Sequence, residues 1–169
     1  MNENQPTKRR SMLSILFIVL LSVLVLAAVI LVVTVDDWSR DLTQNTAETD
    51  AEAADSRLHP LVVELESAAS AETVEHVAAG LAHWVAGDRE ELDDSIVLRF
   101  VRTTPLMRFK DDITVTIIPL GDGRCRIEAE SRSRVGRGDL GQNPRNVDEL
   151  LSALEGEPGF ARTGDAATQ

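Results

Sequence analysis

Cysteine is almost absent from this chain of 169 residues, and its one occurrence, Cys125, rules out an internal disulfide framework. A zinc site built from cysteines is ruled out for the same reason. We expect Cys125 to be an inert core residue, because it falls on the apolar side of a predicted strand.

Histidines are also few, and their spacing does not predict a metal site. His76 and His83 stand two helical turns apart, about 10.5 Å along a helix axis, so they cannot share a metal as i, i+4 neighbours do. No serine stands in the pattern of a nucleophile elbow. The sequence therefore predicts no metal, no cofactor and no nucleophilic catalyst.

Basic residues are outnumbered, since 17 Lys and Arg stand against 28 Asp and Glu, giving a formal net charge of −11. Proteins that bind nucleic acid neutralise phosphates with positive charge, so this composition argues against a nucleic-acid partner. The charges are unevenly spread. Residues 95–145 hold 10 basic and 6 acidic side chains, whereas residues 36–94 hold 3 and 16.

Charge is missing altogether from the 24 residues 12–35, and about 20 apolar residues suffice to cross a bilayer as a helix. Lys8 and Arg10 precede this run, and two aspartates follow it. Basic flanks mark the cytoplasmic side, so we expect residues 1–11 to lie in the cytoplasm. The rest of the chain is then expected on the periplasmic or extracellular side of the cytoplasmic membrane.

A cleaved signal peptide is the alternative interpretation of the same run. Its apolar core would be about 7–15 residues long, and a small-x-small cleavage site would follow it; neither condition is met. Trp38 stands where an interfacial aromatic anchor is expected. The sequence thus favours an uncleaved single-pass anchor.

The rest of the chain divides into a linker, one domain and a tail. Residues 36–57 are acidic and poor in large apolar side chains, so they are predicted to form a linker. Residues 58–156 have the size and apolar periodicity of a small globular domain. Residues 157–169 are predicted to form a frayed tail.

The apolar patterns of this domain predict the order strand, helix, strand, strand, strand, helix. Strands are predicted at 58–66, 95–102, 112–119 and 125–135. The first helix is expected to take Ser70 as its N-cap and to end at Gly87, before an acidic loop over 88–94. The second is expected to take Asn143 as its N-cap and to end at Gly156.

The last strand indicates the fold class. From 125 to 135 the odd positions are apolar or small, whereas the even positions from 124 to 134 are all Arg or Glu. This alternation is typical of a sheet with one solvated face. We therefore expect an α+β protein, in which a transmembrane helix precedes a two-layer domain. Two helices would cover one face of an antiparallel sheet of about four strands.

Three glycines, Gly136, Gly138 and Gly141, follow that strand in the spacing G-x-G-x-x-G. A dinucleotide fingerprint requires a strand buried on both faces that opens a βαβ unit. Here the strand is charged at every second position and only one helix follows. The sequence therefore argues against dinucleotide binding, and the glycines are interpreted as a sharp turn with positive φ.

The motif SRSRVGRGDLGQNPRNVDEL (131–150) resembles the signature of domain of unknown function family 1499, Arg-Ser-x-Ser-Arg-Val-Gly-x-x-Asp-x-Gly-x-Asn. RFKDDITV (108–115) is similar to that family's second motif, HPLVVEL (59–65) to its first strand, and QNTAET (44–49) to an Asn-containing N-terminal segment. The resemblance covers about residues 45–155. It implies no reaction, because the family has no established activity. Its members are often small, bacterial or plastid, and associated with membranes or envelopes.

Two positions depart from the family pattern. The leading Arg of the motif is replaced by Glu130, and an Arg usual after the Asn is replaced by Asn146. If the basic cluster of the family binds an anion, the resemblance implies a weakened version of that site in this chain.

The candidate ligand-binding residues are Arg134, Arg137, Asp139, Asn143, Asp111 and Asp112. Asp111 and Asp112 are adjacent on a strand and point to opposite faces, so they cannot act as a paired acid and base. One of them is expected to bond to Arg134 or to the glycine turn in a structural ion pair. The charged face of the last strand carries four arginines and two glutamates, and cross-strand charge pairing explains it; these residues are Arg124, Arg126, Arg132, Arg134, Glu128 and Glu130. An anion-binding sheet face is the alternative, since glycine-rich backbone and a helix N-terminus at Asn143 would add N–H donors.

Three functions remain open. The first is a membrane-tethered domain that binds an envelope protein or a small anionic ligand without catalysis. The second is a purely structural envelope component, in which the motif only joins strand to helix. The third is an acid–base enzyme that uses Asp112 or Asp139 beside Arg134. Such an enzyme requires a pocket holding a carboxylate of shifted pKa.

Overall fold

The computed structural model describes residues 7–34 and 43–162, and the chain divides into two compact units, Met1–Asp37 and Trp38–Gln169. The predicted interfacial Trp38, the first part of the predicted linker and the end of the predicted tail lie outside the described residues.

The described part of the first unit is one helix, α1 (Thr7–Thr34), as the uncharged run predicts. Its segment Met12–Ile30 has a mean hydropathy of 3.2, and none of it is buried. By length and composition, α1 is long and apolar enough to cross a membrane, and no other helix of the described ranges is. Such a helix is expected of a membrane anchor or of a signal sequence.

The second unit contains one antiparallel sheet of seven strands, where the sequence predicted about four. The strands are β1 (Thr46–Glu48), β2 (Leu61–Val63), β3 (Trp84–Glu91), β4 (Ile96–Thr103), β5 (Lys110–Gly121), β6 (Arg124–Ser133) and β7 (Phe160–Arg162). Their order across the sheet is β3-β4-β5-β6-β2-β7. β1 and β2 share one side of β6, with β1 at the end of β6 and β2 near its start.

Two helices, α2 (Ser67–Gly80) and α3 (Gln142–Leu154), contact the sheet and each other, which confirms the α+β class. They cover the face formed by the odd positions of β6, where Cys125, Ile127 and Ala129 are buried. Leu150 and Leu154 of α3 are fully buried against them. Burial of each such side chain stabilises the domain by about 1.5–3 kcal/mol, so this layer supplies the core. The opposite face of β6 carries charges, as the alternation predicts.

Residues 84–91 form an edge strand, where the sequence predicted the end of a helix and an acidic loop. α2 ends at Gly80 and not at Gly87, and His83 turns the chain with a φ of 70°. Almost all of β3 is exposed, so it lacks the apolar alternation that marks a strand. Gly87 instead allows close strand approach, because a Cβ there would lie 3.0 Å from the carbonyl oxygen of Arg99.

The sheet also extends beyond residues 58–156 on both sides. β1 lies in the segment predicted as a linker, and β7 lies in the segment predicted as a tail. Thr46 pairs with Arg132, and Phe160 pairs with Val63. Each strand is three residues long, too short for a periodic pattern. β1 is held by backbone pairing to the longer β6, and β7 by pairing to β2, which is equally short.

Both predicted N-caps lie inside their helices. Ser70 is buried in the first turn of α2, where its hydroxyl oxygen accepts a hydrogen bond from Cys125 Sγ at 3.1 Å. Asn143 is the second residue of α3, whose N-cap is Gly141 in a left-handed conformation. Cys125 is buried as predicted, and burial raises the pKa of its thiol.

Candidate functional site at the loop end of the sheet

One end of the sheet collects the residues of the glycine motif, and we refer to it as the loop end. It consists of residues 43–45, the β4–β5 loop 104–109 with Lys110 directly after it, and the β6–α3 loop 134–141. The backbone N–H of Ser133 donates to the carbonyl of Asn45 at 2.9 Å. The backbone N–H of Arg134 donates to the carbonyl of Lys110 at 3.0 Å. Segments far apart in sequence are thus joined directly by backbone hydrogen bonds.

Beneath the loop end, five polar side chains form a hydrogen-bonded network between the sheet and α3. They are Asp111, Ser131, Ser133, Asn143 and Asn146. All except Ser133 are at most 1% exposed. Buried polar groups are stable only when they are hydrogen-bonded, so the network depends on every member being present.

Asn143 lies at the centre of this network. Its Oδ1 accepts a hydrogen bond from Ser131 Oγ at 2.6 Å. Its Nδ2 donates to the carbonyl of Asn45 at 2.7 Å and to Ser133 Oγ at 3.1 Å. One amide therefore joins β6, α3 and the segment that leads into β1.

Asp111 and Asn146 complete the network. The Asp111 carboxylate accepts hydrogen bonds from Ser133 Oγ at 2.7 Å and from Asn146 Nδ2 at 2.9 Å. The same Asn146 nitrogen donates to Ser131 Oγ at 3.0 Å, and its Oδ1 accepts from Gln142 Nε2 at 2.7 Å. These bonds tie the start of β5 to the first turns of α3.

The glycine loop is shaped by positive φ angles and by Asp139. Gly136 has a φ of 101° and Gly141 a φ of 75°, as the turn interpretation predicts. The Asp139 carboxylate accepts from the backbone N–H of Gly141 at 2.9 Å and of Asn143 at 2.8 Å. It therefore occupies N–H groups at the start of α3 to which an external anion could otherwise bind. β6, α3 and β7 form a split βαβ connection, because β6 and β7 are both antiparallel to β2, which lies between them. It lacks the features of a dinucleotide site, since one face of β6 is charged and Asp139 occupies N–H groups at the start of α3.

Replacing Asp139 by alanine is expected to lower the free energy of unfolding by about 1–2 kcal/mol, since two backbone donors of α3 lose their acceptor. Asp139→Asn retains one acceptor oxygen and should restore part of the loss. Urea denaturation followed by the fluorescence of the buried Trp84, in a Trp38→Phe background, measures both variants. An unfolding midpoint of Asp139→Ala equal to that of the parent would refute the capping role.

Asp112 points to the other face and forms an ion pair with Arg134. The Asp112 carboxylate lies 2.9 Å from Arg134 Nε through Oδ2 and 2.6 Å from Nη2 through Oδ1. This hydrogen bonding, opposed by partial burial, holds the pKa of Asp112 below its usual value. Both side chains remain nearly half exposed, so the pair contributes little to stability.

Three basic side chains at the loop end differ from Arg134 in their charge environment. Arg108, Lys110 and Arg137 are exposed, and no side chain of the described ranges forms an ion pair with any of them. Arg137 is thus separated in role from Arg134, Asp139 and Asn143, although the sequence grouped the four. It faces solvent, whereas Asp139 and Asn143 are engaged within the fold.

Several residues of the loop end were not identified as site residues from the sequence. Asn45 fell in the predicted linker, and Asn146 was noted only as a departure from a family pattern. Ser131 and Ser133 gave a usable signal, since the inward face of β6 changes from apolar residues to serine at its end. A polar run on an otherwise apolar face indicates buried hydrogen bonding.

A second polar contact joins α3 to the sheet. Glu149 Oε2 accepts hydrogen bonds from Arg102 Nε at 2.9 Å and from Trp84 Nε1 at 3.2 Å. It links α3 to β4 and β3, and the sequence gave no indication of it, because the three residues are far apart in the chain.

The histidines lie apart. His76 is exposed on α2, whereas His83 is exposed in the connection after α2 and not on a helix as assumed. His59 Nε2 lies 2.9 Å from the carbonyl oxygen of Ala53. Within residues 7–34 and 43–162, no group of three or more His, Cys, Asp or Glu side chains is placed to hold a metal ion.

The cavities of the domain near this site are small or acidic. A groove of about 190 Å³ on the open face is lined by Asp112, Arg134 and Arg99 among others. Another of about 400 Å³ beside β1 is lined by Arg132 together with Glu48 and further acidic residues. Ligand pockets commonly exceed about 300 Å³, and the acidic lining of the larger groove disfavours an anion.

Comparison with known proteins agrees with this motif. A search of curated proteins and a search of solved structures gave no match. The model of a family described as "Protein of unknown function (DUF1499)" matches residues 37–154. That span includes every residue of the buried network and most of the sheet, and it confirms the resemblance on which the candidate residues were chosen. The chain therefore belongs to the DUF1499 family of proteins of unknown function.

Proposed function

We propose that this chain is a single-pass membrane protein whose exported domain binds an anionic ligand or an acidic envelope partner at the loop end, without catalysis. Its N-terminal end would lie in the cytoplasm and its domain outside the cytoplasmic membrane. The uncharged helix α1 and the basic residues before it support this arrangement.

The unpaired cations of the loop end are the observation on which the binding proposal rests. Residues 43–162 contain 13 basic and 23 acidic side chains, so the domain as a whole is acidic. Arg108, Lys110 and Arg137 are nevertheless exposed at one end of it, and no acidic side chain within residues 43–162 forms an ion pair with them. In a domain of this charge, an unneutralised basic surface favours an anionic partner.

The buried network supports this surface from below. Asp111, Asp139 and Asn143 form hydrogen bonds within the domain. In this proposal they therefore position the loops and do not contact the ligand. Arg134 is likewise engaged by Asp112, which leaves Arg137 as the motif residue most available for contact.

The geometry does not favour the acid–base enzyme. The pKa of Asp112 is lowered by Arg134, whereas a general acid or base near neutral pH needs a raised carboxyl pKa. Both carboxylate oxygens of Asp139 accept backbone hydrogen bonds. The purely structural role is the second candidate, and it is favoured by the fact that most of the motif's polar groups bond within the fold.

Thermal unfolding of the full chain in a neutral detergent tests the binding proposal. We expect phosphate, glycerol phosphate or a polycarboxylate to raise the Tm of the Trp38→Phe protein at low salt, with Trp84 as the reporter. Since exposed charges are screened by salt, the rise should shrink at higher ionic strength. Arg137→Ala should reduce the rise without changing the Tm of the free protein.

The matched control is Arg124→Ala, because Arg124 is also an exposed arginine but lies at the other end of β6. It should respond to anions as the parent does. If no anion changes the Tm of the parent, and Arg137→Ala captures the same envelope proteins as the parent after crosslinking, the binding proposal is wrong and the structural candidate takes its place.

A further inference from the structure

The loop end exposes apolar as well as basic side chains. Eight large apolar side chains are exposed in residues 43–162, and five of them belong to the two loops of the loop end. They are Leu106, Met107, Phe109, Val135 and Leu140. Leu106 is 88% exposed, more than any other of the eight. A concentration of exposed apolar groups at one end of a domain marks an interaction surface.

The β4–β5 loop holds its apolar residues outward through its own hydrogen bonds. The backbone N–H of Thr104 donates to the carbonyl of Phe109 at 2.8 Å, and the Phe109 N–H donates to Thr104 Oγ1 at 2.9 Å. Arg108 closes the turn with a φ of 54°. Leu106 and Met107 therefore stand at the tip of a closed loop, directed away from the core.

The charge around this loop indicates which kind of surface it binds. Segments 104–110 and 134–141 carry four basic side chains, of which Arg134 is paired with Asp112, and one acidic side chain, Asp139, whose carboxylate caps α3. Arg108, Lys110 and Arg137 are therefore the basic side chains that a partner can contact. Apolar side chains surrounded by Lys and Arg are typical of proteins that bind the interface of an anionic bilayer. An apolar protein groove alone would not require these cations.

Covalent connection brings such a bilayer within reach. α1 ends at Thr34, and the described part of the domain begins at Thr43, in the loop end itself. The eight residues between them, 35–42, span at most about 30 Å whatever their conformation. If α1 crosses a membrane, this length of chain allows the loop end to reach that membrane's surface.

We propose that the loop end docks on the anionic lipid surface beside the anchor, with Leu106 and Met107 entering the headgroup layer and Lys110, Arg108 and Arg137 contacting lipid phosphates. This inference rests on the proposed function, since it takes the anchor and the basic surface from it. It adds the identity of the partner, which is the bilayer itself.

Site-specific fluorescence on the full chain tests this. Leu106→Cys is labelled with an environment-sensitive fluorophore, and the protein is reconstituted in nanodiscs of phosphatidylcholine and phosphatidylglycerol in equal parts. Leu120→Cys is the matched control, because Leu120 is an exposed leucine at the opposite end of β5. The unsubstituted protein gives the background, since its one thiol, Cys125, is buried.

The expected result is a blue-shifted emission and a several-fold lower quenching by iodide at position 106 than at position 120. In discs of phosphatidylcholine alone the difference should shrink. Each basic side chain near an anionic surface favours docking by about fivefold. The double variant Lys110→Glu, Arg137→Glu should therefore return position 106 to the quenching seen at position 120.

Three results would overturn the inference while leaving the anchor intact. One is equal quenching at positions 106 and 120 in anionic discs that the protein enters stably. Another is shielding at position 106 that is the same with and without phosphatidylglycerol. The third is shielding only in native membranes, which would identify a protein partner. Failure of the full chain to enter discs would instead refute the anchor, and the lipid proposal with it.

Discussion

Asn143→Ala is expected to lower the free energy of unfolding of the domain by about 3 kcal/mol. The change leaves the Ser131 hydroxyl without its acceptor, Asn143 Oδ1. It also removes the amide that donates to the Asn45 carbonyl and to Ser133 Oγ. Asn143 is fully buried, so water cannot replace these bonds without opening the structure. Small domains are stable by about 5–15 kcal/mol in total, so the loss is a large share of the total.

Urea denaturation of the Trp38→Phe protein, read through Trp84, measures this loss. Ser152→Ala is the control, because Ser152 is exposed on the same helix and its substitution should change stability by less than about 0.5 kcal/mol. Ser131→Ala combined with Asn143→Ala should lower the free energy of unfolding by less than the sum of the two single losses, with a coupling of about 1 kcal/mol. The reason is that the double variant no longer contains a buried hydroxyl without an acceptor. Strictly additive losses would contradict the network.

This result would also distinguish, within one motif, residues that stabilise the loops from residues that contact the ligand. Asn143→Ala is expected to weaken binding only to the extent that the domain unfolds. Arg137→Ala is expected to weaken binding while the Tm of the free protein stays the same. A motif that resembles a single ligand site in sequence would then consist of a buried frame and an exposed contact residue.

The parts of the fold that could be predicted from sequence are those where one buried face repeats in the chain. β6 alternates strictly from Cys125 to Ser131, and Val147, Leu150 and Leu154 recur at helical spacing along α3. The β5–β6 turn was equally predictable, because Asp122 and its two glycines all adopt positive φ. In each case the local sequence carries the periodicity or backbone preference of the element.

The elements that the sequence did not predict depend on partners distant in the chain. β3 is an edge strand that pairs with β4 and exposes nearly all its side chains, so its composition reads as a loop. β7 pairs with β2 across almost a hundred residues. The bond from Asn143 to Asn45 spans a similar separation, and Asn45 lies in a segment too polar to predict as part of the domain.

The protein isolated from membranes is expected to retain α1, so that peptides from residues 12–35 are detected in it, and to resist extraction by alkaline carbonate. A helix whose 19-residue segment has a mean hydropathy of 3.2 partitions strongly into a bilayer, and no cleavage site follows it in the sequence. Deleting residues 12–35 should move the whole protein into the soluble fraction. Mass spectrometry of the membrane pellet and of the carbonate supernatant measures both outcomes.

A shorter, soluble mature chain would make α1 a signal sequence and would remove the tether on which the lipid inference depends. The cations and the exposed apolar side chains of the loop end would remain. The domain would then reach a membrane only by diffusion, without a tether of at most about 30 Å. Three exposed cations, Arg108, Lys110 and Arg137, in an acidic domain would then bind anionic vesicles weakly and only at low salt. Retention of α1 therefore decides whether docking at the loop end is a local, near-permanent contact or an intermittent one.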